Sequence, residues 1–500
     1  MDGFPSRSLC QWSDVMVAPW AACEASLADF GDKRLNARMP QVLSALGNHP
    51  HISIPAACNG RAEMHAAYRF FDNDKVTFET VLAPHAQKTV ERMRAQPVVL
   101  LIQDTTEINL SRPTEPVVGV GDLNSTRQGV LLHVMQAYTV DGTPLGTAWA
   151  KNINRTDGQL HVPQARKKRD RKCKAIEEKE SFRWVQGLRT ARELAGRLPQ
   201  VQLVCIADSE ADIYECLAET RIEPGTNAAP VDWIVRGCQN RALANDDADG
   251  QNHKHLREQV LGTKLLYTAT LKIRGRQAKT RIDRRARNKA RESREAHVEV
   301  RAATVTLRPP GRPDGDLPPV QVNVVLVHEP NPPAGEEPVQ WMLITTLPID
   351  TLCQVRTIVE YYCARWNIEL LFKTLKSGCR VEERRFEHVE RILPCLAMYL
   401  TVAWRTLFVC RMGREFPDAD CELVFEPSEW KAVWSATTRS KPPRKRPRLS
   451  EMVHLIAQLG GYVESKTNEP GSQTIWVGLQ RMYDLAWAWD SFGPGATDGH

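Results

Sequence analysis

The sequence predicts an α/β protein with helical segments at both ends. Three observations carry that expectation. Apolar runs of strand length cluster between about residues 98 and 237, helical periodicity dominates the first ninety and last hundred or so residues, and a β-branched interval lies between them. A chain of 500 residues exceeds what one hydrophobic core normally organises, so several structural units are expected. Its 42% apolar and 25% charged residues place it among globular proteins, away from the disordered class.

The first unit is expected over 1–90. In LADFGDKRLNARMPQVLSAL the apolar Leu35, Met39, Val42 and Leu43 keep helical spacing, while Lys33, Arg34 and Arg38 supply charge. GRAEMHAAYRFFDND adds Arg61 and Arg69 beside Tyr68. Small helices with basic faces suit duplex phosphates, and they equally suit plain amphipathic surface helices.

The second unit is expected over 91–390. VVLLIQ reads as a strand covered on both faces, and Asp104 is placed directly after it. VLLHVMQAYTV and PLGTAWA, joined at Asp141–Gly142, read as a hairpin. A helix from roughly Glu177 to Leu198 leads into the strand VQLVCIA, with Asp208 directly after it, and DWIVRG supplies a further strand. Three strands, a helix and another buried strand follow the order of a ribonuclease H-like core, an order that many α/β domains share in part. LLYTATLKI, HVEVRAATVTL, VQVNVVLV and VQWMLITTL then predict an inserted β domain over about 240–348. After Pro348 one long helix is expected to run to about Lys376.

The third unit, 391–500, is expected to be helical, with a buried helix over Ile392–Trp404 and a Pro/Arg/Lys linker, RSKPPRKRPR. That buried window is too short to span a bilayer, and the opening nineteen residues have no secretory pattern, so no membrane is expected. Thirteen dispersed cysteines without a C-x-x-C pair point to a reducing cytoplasm rather than a zinc or disulfide framework. The net charge of +6 is modest, but Arg and Lys gather at Arg166–Lys174, Lys272–Arg294 and Arg439–Arg448. Such runs suit grooves that hold a polyanion, and they also suit solvated faces. A metabolic enzyme is disfavoured, because no glycine-rich cofactor loop stands between a strand and a helix.

Two aspartates at neighbouring strand ends would repel, and a divalent cation is a natural way to keep both ionised. An Asp after a strand also commonly caps the next turn, and DTTE and DSEAD could each do so. Tyr362, Arg365, Glu369 and Lys376 fall within roughly an 80° arc of an ideal helix, with Lys373 nearby. A carboxylate between cations on an otherwise apolar helix faces either a charged ligand or its own intrahelical ion pairs.

YYCARWNIELLFKTLK carries the pattern Y-x2-R-x3-E-x6-K, and in this it resembles the DDE transposases of the insertion-sequence-four family. LLIQDTTEINL, CIADSEADIYECL and PVQWMLITT are similar to further blocks of that family. FGDKRLNAR and AYRFFDN are similar to the helical DNA-binding region of its member from transposon Tn-five. The resemblance implies a ribonuclease H-like catalytic core, an inserted β domain, a helical N-terminal DNA-binding domain and a helical C-terminal dimerisation domain. It implies Asp104, Asp208 and Glu369 as catalytic carboxylates holding Mg²⁺, with Mn²⁺ able to substitute. It implies Tyr362, Arg365, Lys373 and Lys376 on DNA phosphates, Trp341 stacked on an extruded base, and Arg38 and Arg69 as basic contacts in the N-terminal domain. Arg236 and Arg241 are weaker candidates.

The implied partners are double-stranded DNA, as transposon ends and target, and a second copy of the chain in a homodimeric synaptic complex. The implied activity is cut-and-paste transposition by nicking, hairpin formation, hairpin opening and strand transfer. A DNA-binding repressor without activity and a nuclease that cuts without joining are the alternatives.

Overall fold

The computed structural model describes residues 17–58, 60–112, 115–155, 174–222, 224–225, 229–244, 255–273, 292–312, 317–463 and 469–494. Most of the basic runs at Arg166–Lys174 and Lys272–Arg294 lie outside the described residues.

Five helices open the chain: α1 (Pro19–Ala25), α2 (Lys33–Asn48), α3 (Ile54–Ala57), α4 (Arg61–Phe71) and α5 (Phe78–Met93). The carboxylate of Asp32 accepts from the Arg34 amide at 2.8 Å and starts α2. Thr77 and Thr80 bond reciprocally across the first turn of α5. The helical spacing of Met39, Val42, Leu43 and Leu46 buries one face of α2 in the same core as Phe70 and Phe71 of α4.

The hairpin and strands follow in the expected order: β1 (Val98–Asn109), β2 (Gly129–Tyr138), β3 (Pro144–Ile153), then helix α6 (Phe182–Arg197), β4 (Gln202–Ala207), α7 (Tyr214–Ala218) and β5 (Asp232–Gly237). β1 to β3 are antiparallel, whereas β4 and β5 run parallel to β1. Every residue of β2 is buried, as a strand covered on both faces requires.

Helix α8 (Leu256–Leu261) precedes β6 (Tyr267–Ile273), β7 (Arg294–Leu307), β8 (Val320–His328) and β9 (Gln340–Thr345). These strands do not form a sheet of their own. β9 pairs antiparallel with β5, Ile234 opposite Thr345, giving one nine-stranded sheet in the order β3-β2-β1-β4-β5-β9-β8-β7-β6. The edge amides and carbonyls of β5 are thereby satisfied within the protein.

Alternation along β1 divides the core. Leu100 and Ile102 face one layer with Val204 and Ile206, while Val99 and Leu101 face the other with Trp184, Leu188 and Ala191 of α6.

The expected single helix to Lys376 is broken. α9 (Leu352–Ala364) and α10 (Trp366–Lys373) meet at Arg365, and a π turn spans Thr374–Gly378. α11 (Val389–Glu415) is longer than the expected window, because Pro394 is accommodated inside it. It is long and apolar enough to cross a membrane, but 89% of its most apolar window is buried, as in a core helix.

Helices α12 (Pro427–Thr438), α13 (Leu449–Leu459) and α14 (Ser472–Phe492) close the chain around Phe425, Trp430, Val453, Ile456 and Met482. α13 and α14 touch through glycine: a Cβ on Gly478 would lie 1.8 Å from the Ile456 carbonyl oxygen. Gly478→Ala is therefore expected to cost about 1–3 kcal/mol, read as a lower Tm in thermal unfolding. An unchanged Tm would mean that this helix pair separates without penalty.

Candidate active site

In the parallel pairing of β1 with β4, Ile102 lies opposite Ile206. Two residues further the same register sets Asp104 beside Asp208. By alternation along β1 the Asp104 side chain shares the face of Leu100 and Ile102, and the Asp208 carboxylate is near enough to act on it. Asp104 does not follow β1, as the sequence suggested, but lies within it. Pairing with β2 continues to Asn109 opposite Gly129, whereas β4 ends at Ala207. Asp104 therefore lies on β1 just beyond the carboxyl end of β4, and the carboxyl ends of parallel strands are a common place for ligands in α/β sheets.

Asp208 is also a cap: its carboxylate accepts from the Glu210 amide at 2.8 Å and starts the 3₁₀ turn Ser209–Ala211. The Asp104 carboxylate accepts from the Thr105 amide at 2.7 Å. Burial, and then the nearby Asp208 carboxylate, push the Asp104 carboxyl up to about 6, against the pull of the Thr105 amide and Arg365. Two acids side by side with one of them reluctant to ionise mark a place short of positive charge.

Arg365 supplies some of it. From the junction of α9 and α10, its guanidinium donates to Asp104 Oδ2 at 3.1 Å and to Glu369 Oε1 at 2.8 Å. Arg365 thus stands between Asp104 and Glu369. Among the described residues, no three His, Cys, Asp or Glu side chains are gathered so as to hold a metal ion. The donor chemistry still fits one, since two adjacent carboxylates with a third linked through one arginine present the hard oxygen ligands a divalent cation prefers.

Around this centre, Tyr362 is buried and meets the half-buried Trp341 edge-on, with ring centroids 5.6 Å apart. Burial raises the Tyr362 phenol; Arg236 and Arg365 oppose this and Asp208 adds to it, so the ring lies beside the acidic pair. Lys376 is half-buried in the π turn, and burial lowers its ammonium against the pull of Glu382 and Glu107. Lys373 is exposed one turn earlier.

Arg38 and Arg69 lie apart from this centre, on α2 and α4. Arg38 is half-buried, and the exposed Arg69 donates to the His65 carbonyl at 3.3 Å. Arg241 donates through Nε and Nη2 to the Oδ1 of the buried Asp212, so its guanidinium is structural. Arg236 instead donates to Ser209 Oγ at 3.2 Å, next to Asp208.

Sequence reasoning passed over the layer behind Asp104. Arg183 of α6, largely buried, donates to Thr105 Oγ1 at 2.9 Å and to Glu210 Oε2 at 2.6 Å. The Thr105 hydroxyl also bonds His133 Nδ1 at 2.9 Å, and burial keeps His133 well below its ordinary pKa and therefore neutral. Arg183 has no local signal in the sequence, since its partners are remote. Glu210 does have one in DSEAD, where the spacing from Asp208 reads as capping alone.

Three known families match the chain in succession. Residues 17–76 match the family described as Transposase DNA-binding, residues 185–398 the Transposase DDE domain, and residues 401–487 the Transposase Tn5 dimerisation domain. Asp208 and Glu369 lie inside the second match. Asp104 lies before it and reaches the site through the pairing of β1 with β4.

Proposed function

The chain belongs to the Tn5-like DDE transposases, enzymes that cleave DNA and transfer its strands, and from that premise we propose that Asp104, Asp208 and Glu369 are its catalytic carboxylates. The juxtaposition of Asp104 and Asp208, faced by the Arg365–Glu369 pair, carries this reading. The core is read as ribonuclease H-like because three antiparallel strands, a helix and a parallel β4 beside β1 follow that order. DDE domains generally use divalent metal ions, and Mg²⁺, with Mn²⁺ as a substitute, is the ion proposed here. When bound, such ions activate the attacking oxygen and stabilise the leaving oxygen of an in-line displacement.

The chain's own residues position the DNA. Arg365 ties Asp104 to Glu369 and offers a guanidinium to a phosphate oxygen. Lys373 at the end of α10 and Lys376 in the π turn that follows are proposed to extend that cationic edge along the chain. Tyr362 buttresses Trp341, whose half-buried ring is proposed to stack on a base extruded during hairpin formation. Arg38 and Arg69 are proposed as phosphate contacts on the N-terminal helices, within the matched DNA-binding region. Water as the attacking group nicks a strand, and a DNA 3′-hydroxyl joins one, so nicking, hairpinning, opening and transfer can share one site. The proposed assembly is a homodimer holding two transposon ends, acting on DNA in the cytoplasm. The division into 1–90, 91–390 and 391–500 is retained as the proposed domain plan, with 240–348 as an insertion that extends the core sheet.

The direct test is cleavage of a labelled duplex carrying the element's own end and flank in Mg²⁺, comparing wild type with Glu369→Ala. The variant is expected to bind DNA with wild-type affinity while nicking, hairpinning and joining fall by about two to three orders of magnitude. Equal activity in both proteins would remove Glu369 from the site. Binding by both without cleavage by either would turn the reading toward a DNA-binding repressor.

A further inference from the structure

The segment from Arg439 to Arg448, RSKPPRKRPR, carries six cations in ten residues and no acid. It joins α12 to α13, and its length would suit a slack linker. The structure instead pins it at both ends. Arg439 closes α12 in the left-handed region at φ 53°, and the Ser440 hydroxyl accepts from Trp434 Nε1 at 3.2 Å. At the far end the Cys421 amide donates to the Pro447 carbonyl at 3.2 Å, and the Leu449 amide donates to the Ala419 carbonyl at 2.7 Å. Pro442, Pro443 and Pro447 restrict the backbone between these anchors.

The charges divide into two groups. Arg446 pairs with Asp420 and Glu422, and Arg448 pairs with Asp418, so these two tie the loop to the body of the domain. Arg439, Lys441, Arg444 and Lys445 are exposed, and among the described residues no ion pair holds them. The loop also runs into the amino end of α13, where cations are electrostatically disfavoured. Four outward cations on a restrained backbone, with Arg444 and Lys445 just ahead of the amino end of α13, repel one another unless an anionic partner covers them.

We propose that this loop is a second duplex-binding surface of the enzyme, gripping the DNA phosphate backbone without regard to sequence. The inference rests on the transposase reading, which supplies DNA as the polyanion. It adds a contact on the region matched to dimerisation, remote in sequence from the matched DNA-binding residues. Arg439, Lys441, Arg444 and Lys445 are the contacting residues; Arg446 and Arg448 are positioning residues that hold the loop in shape.

The test uses the full chain with Arg439, Lys441, Arg444 and Lys445 all changed to Gln. Binding of a random-sequence duplex is followed by fluorescence anisotropy across a salt series. Each phosphate contact contributes about 0.9 to the slope of log affinity against log salt, so losing four is expected to lower the slope by about 3.6. Affinity is expected to fall at least about tenfold near physiological salt. Arg439→Lys with Arg444→Lys, which keeps the charge, should retain the wild-type slope, and both variants should melt like wild type. An unchanged slope in the Gln variant would overturn the proposal. So would a loss of heparin binding with duplex binding intact, which would give the loop to another polyanion. Cleavage of end DNA by wild type tells the two failures apart: an unchanged slope in a cleaving enzyme sinks this surface and leaves the active site standing.

Discussion

Asp104→Asn is expected to yield a protein that is more stable than wild type in the absence of metal, still binds DNA, and does not cut it. The stability arm follows from the raised carboxyl. A group whose folded pKa of about 6 exceeds its ordinary value of 3.8 opposes folding when ionised. That penalty develops as pH rises from 3.8 to about 6 and persists above it. Asparagine keeps the shape and the bond from the Thr105 amide but carries no charge, so the penalty disappears. The gain is expected to be up to about 3 kcal/mol at pH 7.5, the attraction of Arg365 being already contained in the raised value, and is read by chemical denaturation in a chelator. Cleavage should fall by about two to three orders of magnitude. A less stable, inactive variant would mean that Asp104 serves the fold through Arg365. A stable, active one would remove it from the chemistry. This opposition between stability and activity is what a site built to receive a cation should show.

The second large effect lies far from the site. Glu24 of α1 is buried against α5, where Arg92 donates to it at 2.7 Å and His85 Nδ1 lies at 2.6 Å. The Thr147 amide donates to His85 Nε2 at 3.0 Å, so the imidazole proton sits on Nδ1 and points at Glu24. Arg92 also lies over the Trp404 ring at 4.2 Å, and Trp404 Nε1 donates to the Pro144 carbonyl at 2.8 Å. One carboxylate thus joins the first helix to α5, β3 and α11.

Burial alone would raise the Glu24 carboxyl, but the His85 N–H and the Arg92 charge outweigh it and hold the group well below its ordinary 4.5. A depressed carboxyl stabilises the fold above its unfolded pKa, and that contribution is lost as pH falls below about 4.5. Glu24→Ala leaves the half-buried Arg92 without its carboxylate and the buried His85 N–H without its acceptor, and is expected to cost about 2–3 kcal/mol at neutral pH. The deficit should shrink on acidification as wild type loses its own advantage. A loss under about 1 kcal/mol, or one independent of pH, would show that the cluster contributes little.

Much of the fold could be read from the chain because it rests on local pattern. Continuous apolar runs gave β1 and β4, and Asp141–Gly142 gave the β2–β3 turn. What escaped was set by pairing at a distance. The polar residues QDTTEIN looked like the end of a strand, but β2 carries β1 on to Asn109, so Asp104 has a strand neighbour on the β2 side and lies beyond the last paired residue on the β4 side. The helical wheel put Tyr362, Arg365, Glu369 and Lys376 on one stripe. The structure breaks the helix at Arg365 and turns Lys376 into a π turn, so the stripe serves different surroundings along its length. The inserted strands read correctly as β, but nothing local in them announces that β9 completes the core sheet. Arg183, His133 and the Glu24 cluster escaped for the same reason, their partners being dozens of residues away.

The junction of β5 with β9 has a consequence for the order in which the protein is made. Ile234 waits for Thr345, and Glu369 emerges later still. A chain leaving the ribosome amino end first therefore carries its N-terminal helices and both aspartates long before the sheet can close over them. Until β9 arrives, the nascent chain holds the two aspartates of the proposed site without Glu369, its proposed third carboxylate. On the proposed assignment, a chain ended before Glu369 keeps the residues matched to DNA binding and lacks the acid that would complete the cutting centre.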